Sequence, residues 1–308
     1  MISYLAKRVI QAPLILLTLS TLAFVLMRFA PGGPFSDERA LDAPAQAALE
    51  ERYHMHGTLA EQYGHWLWSL VRGDFGESTH NRGQSVNAII GRNLAPSLAL
   101  GLLAMAVALS VGLTTGLVAA VNQHGTLDYT TMGLAVLGIS VPTFVIGPLL
   151  QLVFAKWLGW LPYGGYDGLG HLVYLVLPAL TLGLPFAARI SRLTRAGMLE
   201  VLSSDFVRTA KAKGLPMRTV VRRHCLRGGL LPVISFLGPA ATMMATGSLV
   251  VEFIFQLPGL GKEFIESSLN RDYNLVMGTV MLYGVFIVVF NLLADLAYAA
   301  LDPRVRYG

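Results

Sequence analysis

The sequence predicts an all-α membrane protein with six transmembrane helices, a small extracytoplasmic helical segment and a short helical elbow on the cytoplasmic side. Three observations carry this. Apolar residues make up 54% of the 308 and charged residues only 13%, which would leave a water-soluble fold more apolar surface than it could cover. Six uncharged stretches, 9–27, 93–121, 129–155, 172–188, 228–251 and 274–294, each approach the roughly 20 residues that a helix needs to cross about 30 Å of hydrocarbon. The 23 Lys and Arg residues are sorted by side: with both termini cytoplasmic, 14 fall inside and nine outside, and six of those nine lie in the long 28–92 segment, to which the positive-inside rule gives little weight. The run lengths and the Leu, Ala and Gly content suit helices rather than the alternating segments of a barrel.

The first stretch follows Lys7 and Arg8, as a secretory leader would, but it is long and ends at Arg28-Phe29-Ala30-Pro31 without a small-residue cleavage site, so it is expected to be retained. Within 28–92, Leu59, Tyr63, Trp66, Leu67, Leu70 and Val71 recur at helical spacing, and Gly73-Asp74-Phe75-Gly76 ends that helix. Ser85 is placed to cap a further short helix whose Val86, Ile89 and Ile90 share a face. Gln256-Leu257-Pro258-Gly259 predicts a sharp turn or partly re-entrant loop. No linker or internal repeat divides the chain, so residues 1–308 are expected to form one membrane domain. It would be a multi-pass protein of a bacterial plasma (inner) membrane.

The inside segment 189–227 is the most informative. Asp205 to Lys213 predicts a short helix capped by Ser203 or Ser204 and ended by Gly214 in a left-handed conformation, and Pro216 begins a second helix. Phe206 and Ala210 are four apart and share a face, with Arg208, Lys211 and Lys213 elsewhere. By itself this elbow is equally a basic loop facing lipid phosphates.

Other polar residues carry competing expectations. Glu252, at the end of the fifth stretch, either lines an outer gate with Pro258 and Gly259 or is a solvated helix end. Asn291 and Asp295 are read as structural. His54, His56, His65 and His80 match no metal-site spacing, and no metal or other cofactor is expected in this chain. Trp66, Trp68, Trp157 and Trp160 flank apolar stretches as an interfacial belt would. Cys225, the single cysteine, excludes an intrachain disulfide and is expected to be a small buried apolar residue.

The elbow segment Arg208-Thr209-Ala210-Lys211-Ala212-Lys213-Gly214, followed downstream by Leu230-Leu231-Pro232, resembles the EAA loop of ATP-binding-cassette importer permeases. The match is uneven, since Arg208 stands at that pattern's acidic position and Thr209 at its first alanine. Longer segments are similar to the oligopeptide permease B-subunit type of this binding-protein-dependent transport family. They are Arg28 to Phe35, Gly73-Asp74-Phe75-Gly76, Lys211 to Arg218, Leu257 to Gly261, Leu269-Asn270-Arg271-Asp272-Tyr273 and Leu301 to Arg304.

The resemblance implies that the 198–228 loop carries a coupling helix seated in a cleft of an ATPase, with Asp205, Phe206, Thr209, Ala210, Lys211 and Gly214 as the contact residues. It also implies the partners: a second permease subunit that shares the translocation path, two ATP-binding-cassette ATPases and an extracytoplasmic peptide-binding protein. Dipeptide or nickel permeases of the same family are the alternative. Gly259-Leu260-Gly261-Lys262 departs from a phosphate loop at Gln256 and Glu263, so no nucleotide site and no enzymatic step of its own are expected. The stretches contain no mid-depth charge for an ion-coupled secondary transporter and no catalytic pair for an intramembrane enzyme. The basic balance follows membrane side, 14 basic against five acidic residues inside and nine against 13 outside, so lipid rather than nucleic acid is the expected polyanionic surface.

Overall fold

In the computed structural model the described residues are 2–29, 51, 53, 57–168, 170–246 and 249–301. The expectations on Pro31 to Phe35, His54, His56 and Asp302 to Arg304 lie outside them. Among the described residues the secondary structure is helical apart from one isolated bridge, Glu77 to Ser85. Four helices are long and apolar enough to cross a membrane: α1 (Ile2–Phe29), α3 (Val86–Val121), α6 (Val173–Leu202) and α12 (Tyr273–Leu301). Two bent pairs pass the same test together. They are α4 (Thr126–Ser140) with α5 (Thr143–Trp157), bent by 106°, and α8 (Met217–Gly229) with α9 (Leu231–Ala245), bent by 52°. Counting each pair as one span gives six.

Both bends have a proline cause. Pro142 drives Val141 into extended backbone (φ −82°, ψ 122°), because its ring clashes with a helical predecessor, and it then begins α5. The uninterrupted apolar run 129–155 concealed this break. Pro232 sits at the first turn of α9, where its missing N–H is no loss, and the chain kinks at Leu230. Within α5, Pro148 precedes a wider π-type turn over Gln151–Trp157.

The chain packs as two compact units. The first comprises 1–8, 96–258 and 286–308, and its centre is α6, over half buried. Leu100, Leu175, Leu177, Ile190, Met244 and Phe255 fill its main core. Glycines set the helix separations. A Cβ at Gly112 or Gly116 would come within 2.7 Å of the Ala187 or Ser191 carbonyl oxygen, so this small-x-x-x-small pair lets α3 lie directly on α6, where Thr115 Oγ1 donates to Ser191 Oγ at 2.9 Å.

The second unit comprises 9–95 and 259–285. Here α2 (Leu59–Val71) begins with a capping box, Thr58 with Glu61, and ends at Gly73 with φ +75°. The exposed Glu61 carboxyl is held below its usual pKa by the Thr58 backbone and side-chain hydrogen bonds. One face of α2 (Tyr63, Trp66, Leu67, Leu70) packs on Phe24, Met277 and Met281, and the Tyr63 hydroxyl shares hydrogen bonds with Ser20 and Thr21. Trp66 is therefore a buried core residue rather than part of an interfacial belt, whereas Trp68 stays exposed with the Arg72 guanidinium 4.5 Å over its ring. Val86, Ile89 and Ile90 do share a buried face, but their short helix is the opening of the 36-residue α3, with no separate boundary.

Candidate functional site

The elbow is built from the ends of α6 and α8 with α7 (Asp205–Ala212) between them. Ser204 occupies the N-cap position of α7, but its hydroxyl donates back to the Val201 carbonyl at 2.5 Å and makes no cap bond. The Ser204 carbonyl alone accepts from Val207 and Arg208. At the other end Gly214 adopts φ +78°, which lets Leu215 N–H return to the Ala210 carbonyl and turns the chain toward Pro216. Pro216 takes the cap position, one residue ahead of α8.

The α7 side chains separate sharply by burial. Val207 and Ala210, three apart, are inside a core formed with Ala120, Met198, Val220, Val221 and Cys225. Phe206 is 52% exposed, and Asp205, Thr209, Lys211 and Gly214 are also exposed. Phe206 and Ala210 thus do not share a surface: the small residue serves the elbow's own seat, and the aromatic one stands outside it. The exposed Asp205–Arg208 pair at 3.2 Å adds little. Cys225 is fully buried, as expected.

Two glycines fix the legs of the elbow. A Cβ on Gly197 of α6 would lie 2.3 Å from the Gly229 carbonyl oxygen, and one on Gly229 of α8 would lie 2.5 Å from Met198 Sδ. No larger residue fits without separating the legs. Beside them is a bidentate ion pair that sequence reasoning missed. Arg195 of α6 donates through Nε (2.5 Å) and Nη2 (2.7 Å) to Asp128 of α4, whose carboxylate also accepts from the His124 N–H at 3.0 Å. Asp128 is 2% exposed, and His124 holds a left-handed φ of +62° to reach it.

At the 252–259 turn, Glu252 lies on α10 (Leu249–Ile254) and is 1% exposed. It accepts from Ser97 Oγ of α3 at 2.9 Å, which removes the reading of a solvated helix end. The sharp turn itself is present: Gln256 has φ +53° and Leu257 N–H bonds the Glu252 carbonyl at 2.8 Å. Gly165 N–H donates to Phe255 O at 2.7 Å, and Gly164 passes so near that a Cβ would come within 2.3 Å of the same oxygen. Pro258 is half-buried, and the extended Gly259 starts α11 (Leu260–Leu269) from a buried position. Asn291 bonds its own helix at the Ile287 carbonyl and crowds Gly238 of α9, a packing role. Among the described residues no group of three His, Cys, Asp or Glu side chains is placed to hold a metal ion.

Comparison with known proteins adds to this geometry. The family described as binding-protein-dependent transport system inner membrane component matches residues 112–307. The chain is 45% identical to the oligopeptide transport system permease protein OppB of Haemophilus influenzae and 43% identical to that of Escherichia coli K12, with full coverage of both chains in each case. It is 42% identical to the dipeptide transport system permease protein DppB of Bacillus subtilis, covering 99% of this chain and 98% of that one. Among solved structures, inward-facing MetNI methionine ABC transporter matches with a TM-score of 0.53 at 16% identity, over 70% of this chain and 96% of the other. An amino acid ABC transporter with histidines matches with a TM-score of 0.53 at 17% identity, over 70% and 94%. These two likenesses concern the fold.

Proposed function

The chain belongs to the family of binding-protein-dependent transport system inner membrane components, and from that premise we propose that it is the permease subunit of an ATP-driven importer for oligopeptides. The observation that carries this reading is identity of 43 to 45% over the whole chain with two oligopeptide permeases. A dipeptide permease at 42% makes shorter peptides the second reading. Uptake of tripeptides and longer peptides into cells lacking the chain, restored by re-expression, tests the choice; restoration of dipeptide uptake alone would reverse it.

The partners of the proposed complex are a second permease, two ATPases and an extracytoplasmic peptide-binding protein. The bent pairs count as single spans, giving six crossings with both termini cytoplasmic and the elbow inside. Cysteines introduced at Gly83 and Lys211 read this orientation: only position 83 is labelled from outside intact cells. The elbow is the coupling element. Its contact with an ATPase is made by Phe206 with Asp205, Thr209, Lys211 and Gly214 around it, while Val207 and Ala210 hold α7 against α3 and α6, so a push on Phe206 moves helices that line the path. At the other end the Glu252–Ser97 bond holds α10 to α3 beside Pro258 and Gly259, the turn assigned as the outer gate.

The elbow assignment has its own test. Ala210→Asp puts an unpaired charge into the buried seat, at a cost of about 1–3 kcal/mol or more, comparable to a conformational switch. Membrane levels are expected near normal, with peptide uptake and peptide-stimulated ATPase activity lost. Lys213→Ala, on the exposed side, is expected to leave both intact. Normal uptake by Ala210→Asp would return the elbow to an ordinary basic loop.

A further inference from the structure

A pocket of about 510 Å³ lies between α4 and the second half of α6. Arg189, Arg192 and Arg195 form one wall, and Met132, Ile139 and Leu193 supply apolar lining. The three arginines are spaced by three along one helix, so they climb one side of it through about 9 Å. Arg195 is neutralised by Asp128. Arg189 has its guanidinium 5.6 Å over the Phe236 ring, which leaves its charge uncompensated. Arg192 is exposed, and among the described residues no carboxylate pairs with either. The pocket therefore holds two uncompensated guanidinium groups above an apolar floor.

Depth identifies what such a pocket meets. From the start of α6 at Val173, Arg189 is about 24 Å along the axis and Arg195 about 33 Å, so for a helix that begins at one face of a roughly 30 Å hydrocarbon core the arginines straddle the opposite headgroup layer. Below that level α4 exposes Val136, which lies one turn from both Met132 and Ile139 and so extends the pocket's apolar face of the helix. Guanidinium forks match phosphodiester oxygens, and basic pockets between membrane helices take lipid headgroups.

We propose that this pocket binds the phosphodiester headgroup of an anionic phospholipid, with Arg189 and Arg192 on the phosphate and the acyl chains along α4. Held there, the lipid braces α4 against α6 next to the Asp128–Arg195 pair and the elbow legs. The inference rests on α4 and α6 crossing a bilayer, as the permease reading requires, and not on the identity of the peptide or on which face is cytoplasmic.

The experiment uses the assembled transport complex in nanodiscs of phosphatidylcholine with or without phosphatidylglycerol, then native mass spectrometry to count retained phosphatidylglycerol. Arg189→Gln/Arg192→Gln is expected to lower its binding by about ten-fold or more, the scale of losing charge-assisted hydrogen bonds. Met132→Trp, which fills the pocket without altering charge, is expected to lower retention as well. Arg222→Gln, exposed and outside the pocket, retains the wild-type amount. Retention unchanged in both pocket variants overturns the proposal, as does displacement of the lipid by millimolar inorganic phosphate, which would make the site one for free anions. Peptide-stimulated ATPase activity of the same nanodiscs is followed in parallel: its absence in the wild-type complex counts against the permease reading, whereas retained lipid is scored independently of it.

Discussion

Two aspartates, one in each compact unit, are almost fully buried and have their oxygens satisfied by opposite means. Asp128 is held by a single strong partner, the bidentate Arg195, with the His124 N–H as a supplement. Asp272 is held by four weaker donors: Ser78 Oγ, the backbone N–H and hydroxyl of Thr79, and the Leu275 N–H at the opening of α12. A carboxyl group shared among several donors tolerates the loss of any one of them, because the others can tighten. A carboxylate facing one guanidinium has no such reserve, and removing either member leaves a charge stranded. The Asp272 arrangement suits a fixed platform that ties the 73–85 segment to the loop before α12. The Asp128–Arg195 arrangement suits a joint between helices that either holds or fails.

The contrast yields its largest effect at Asp128. Asp128→Ala strands Arg195, whose side chain is 26% exposed, and is expected to destabilise by about 2–4 kcal/mol, seen as a lower melting temperature of the purified complex. Asp128→Ala/Arg195→Met removes both charges and should recover most of that loss. A single variant that melts like the wild type would mean that the pair is screened and carries no load.

The next effect is smaller. Asp272→Asn keeps an acceptor for Thr79 and Leu275 while giving up the one for Ser78, so a loss of about 1 kcal/mol is expected. A loss equal to that of Asp128→Ala, measured on the same complex, would erase the distinction between shared and single partners.

The smallest effect comes from a third carboxylate, Glu263 of α11, which has neither device. Burial raises its pKa first, the neighbouring Glu266 adds to this, and Arg92, the Asn93 amide 3.0 Å from Oε1 and Lys262 only partly oppose it. With the folded pKa above the unfolded one, the folded state binds more protons. Stability is therefore highest below the unfolded pKa and declines as pH rises through the folded pKa. Glu263→Gln is expected to melt slightly higher than the wild type at neutral pH and to flatten this decline. A steeper decline in the variant would show that ionised Glu263 is stabilised.

Much of the fold was legible because membrane helices announce themselves locally. Four of the six apolar stretches fall on single long helices and the third on a bent pair, while the fifth begins only at the end of α8, covers α9 and reaches into α10; Gly214 takes the left-handed conformation that its place after Lys213 required. The breaks in the third and fifth stretches were written in Val141-Pro142 and Leu231-Pro232, and the Gly112/Gly116 contact in a small-x-x-x-small spacing. Each was a readable local signal passed over because the surrounding run was uniformly apolar. Gly73-Asp74-Phe75-Gly76 and Leu269 to Tyr273 were recognised as separate family segments, but nothing in either announced that Asn274 would reach the Glu77 carbonyl or that Asp272 would meet Ser78.

By itself the sequence determined where the chain is apolar, where it must turn and which residues share a helical face, since these follow from composition, backbone conformation and the 3.6-residue period. Only the tertiary structure decided what covers each face. It turned Ala210 inward and Phe206 outward, buried Trp66, paired Asp128 with Arg195 across 67 positions and Glu252 with Ser97 across 155. A helical period ranks the residues around an axis but carries no information about which neighbour lies along it. For polar groups placed in an apolar interior, the distant partner is what makes the burial possible.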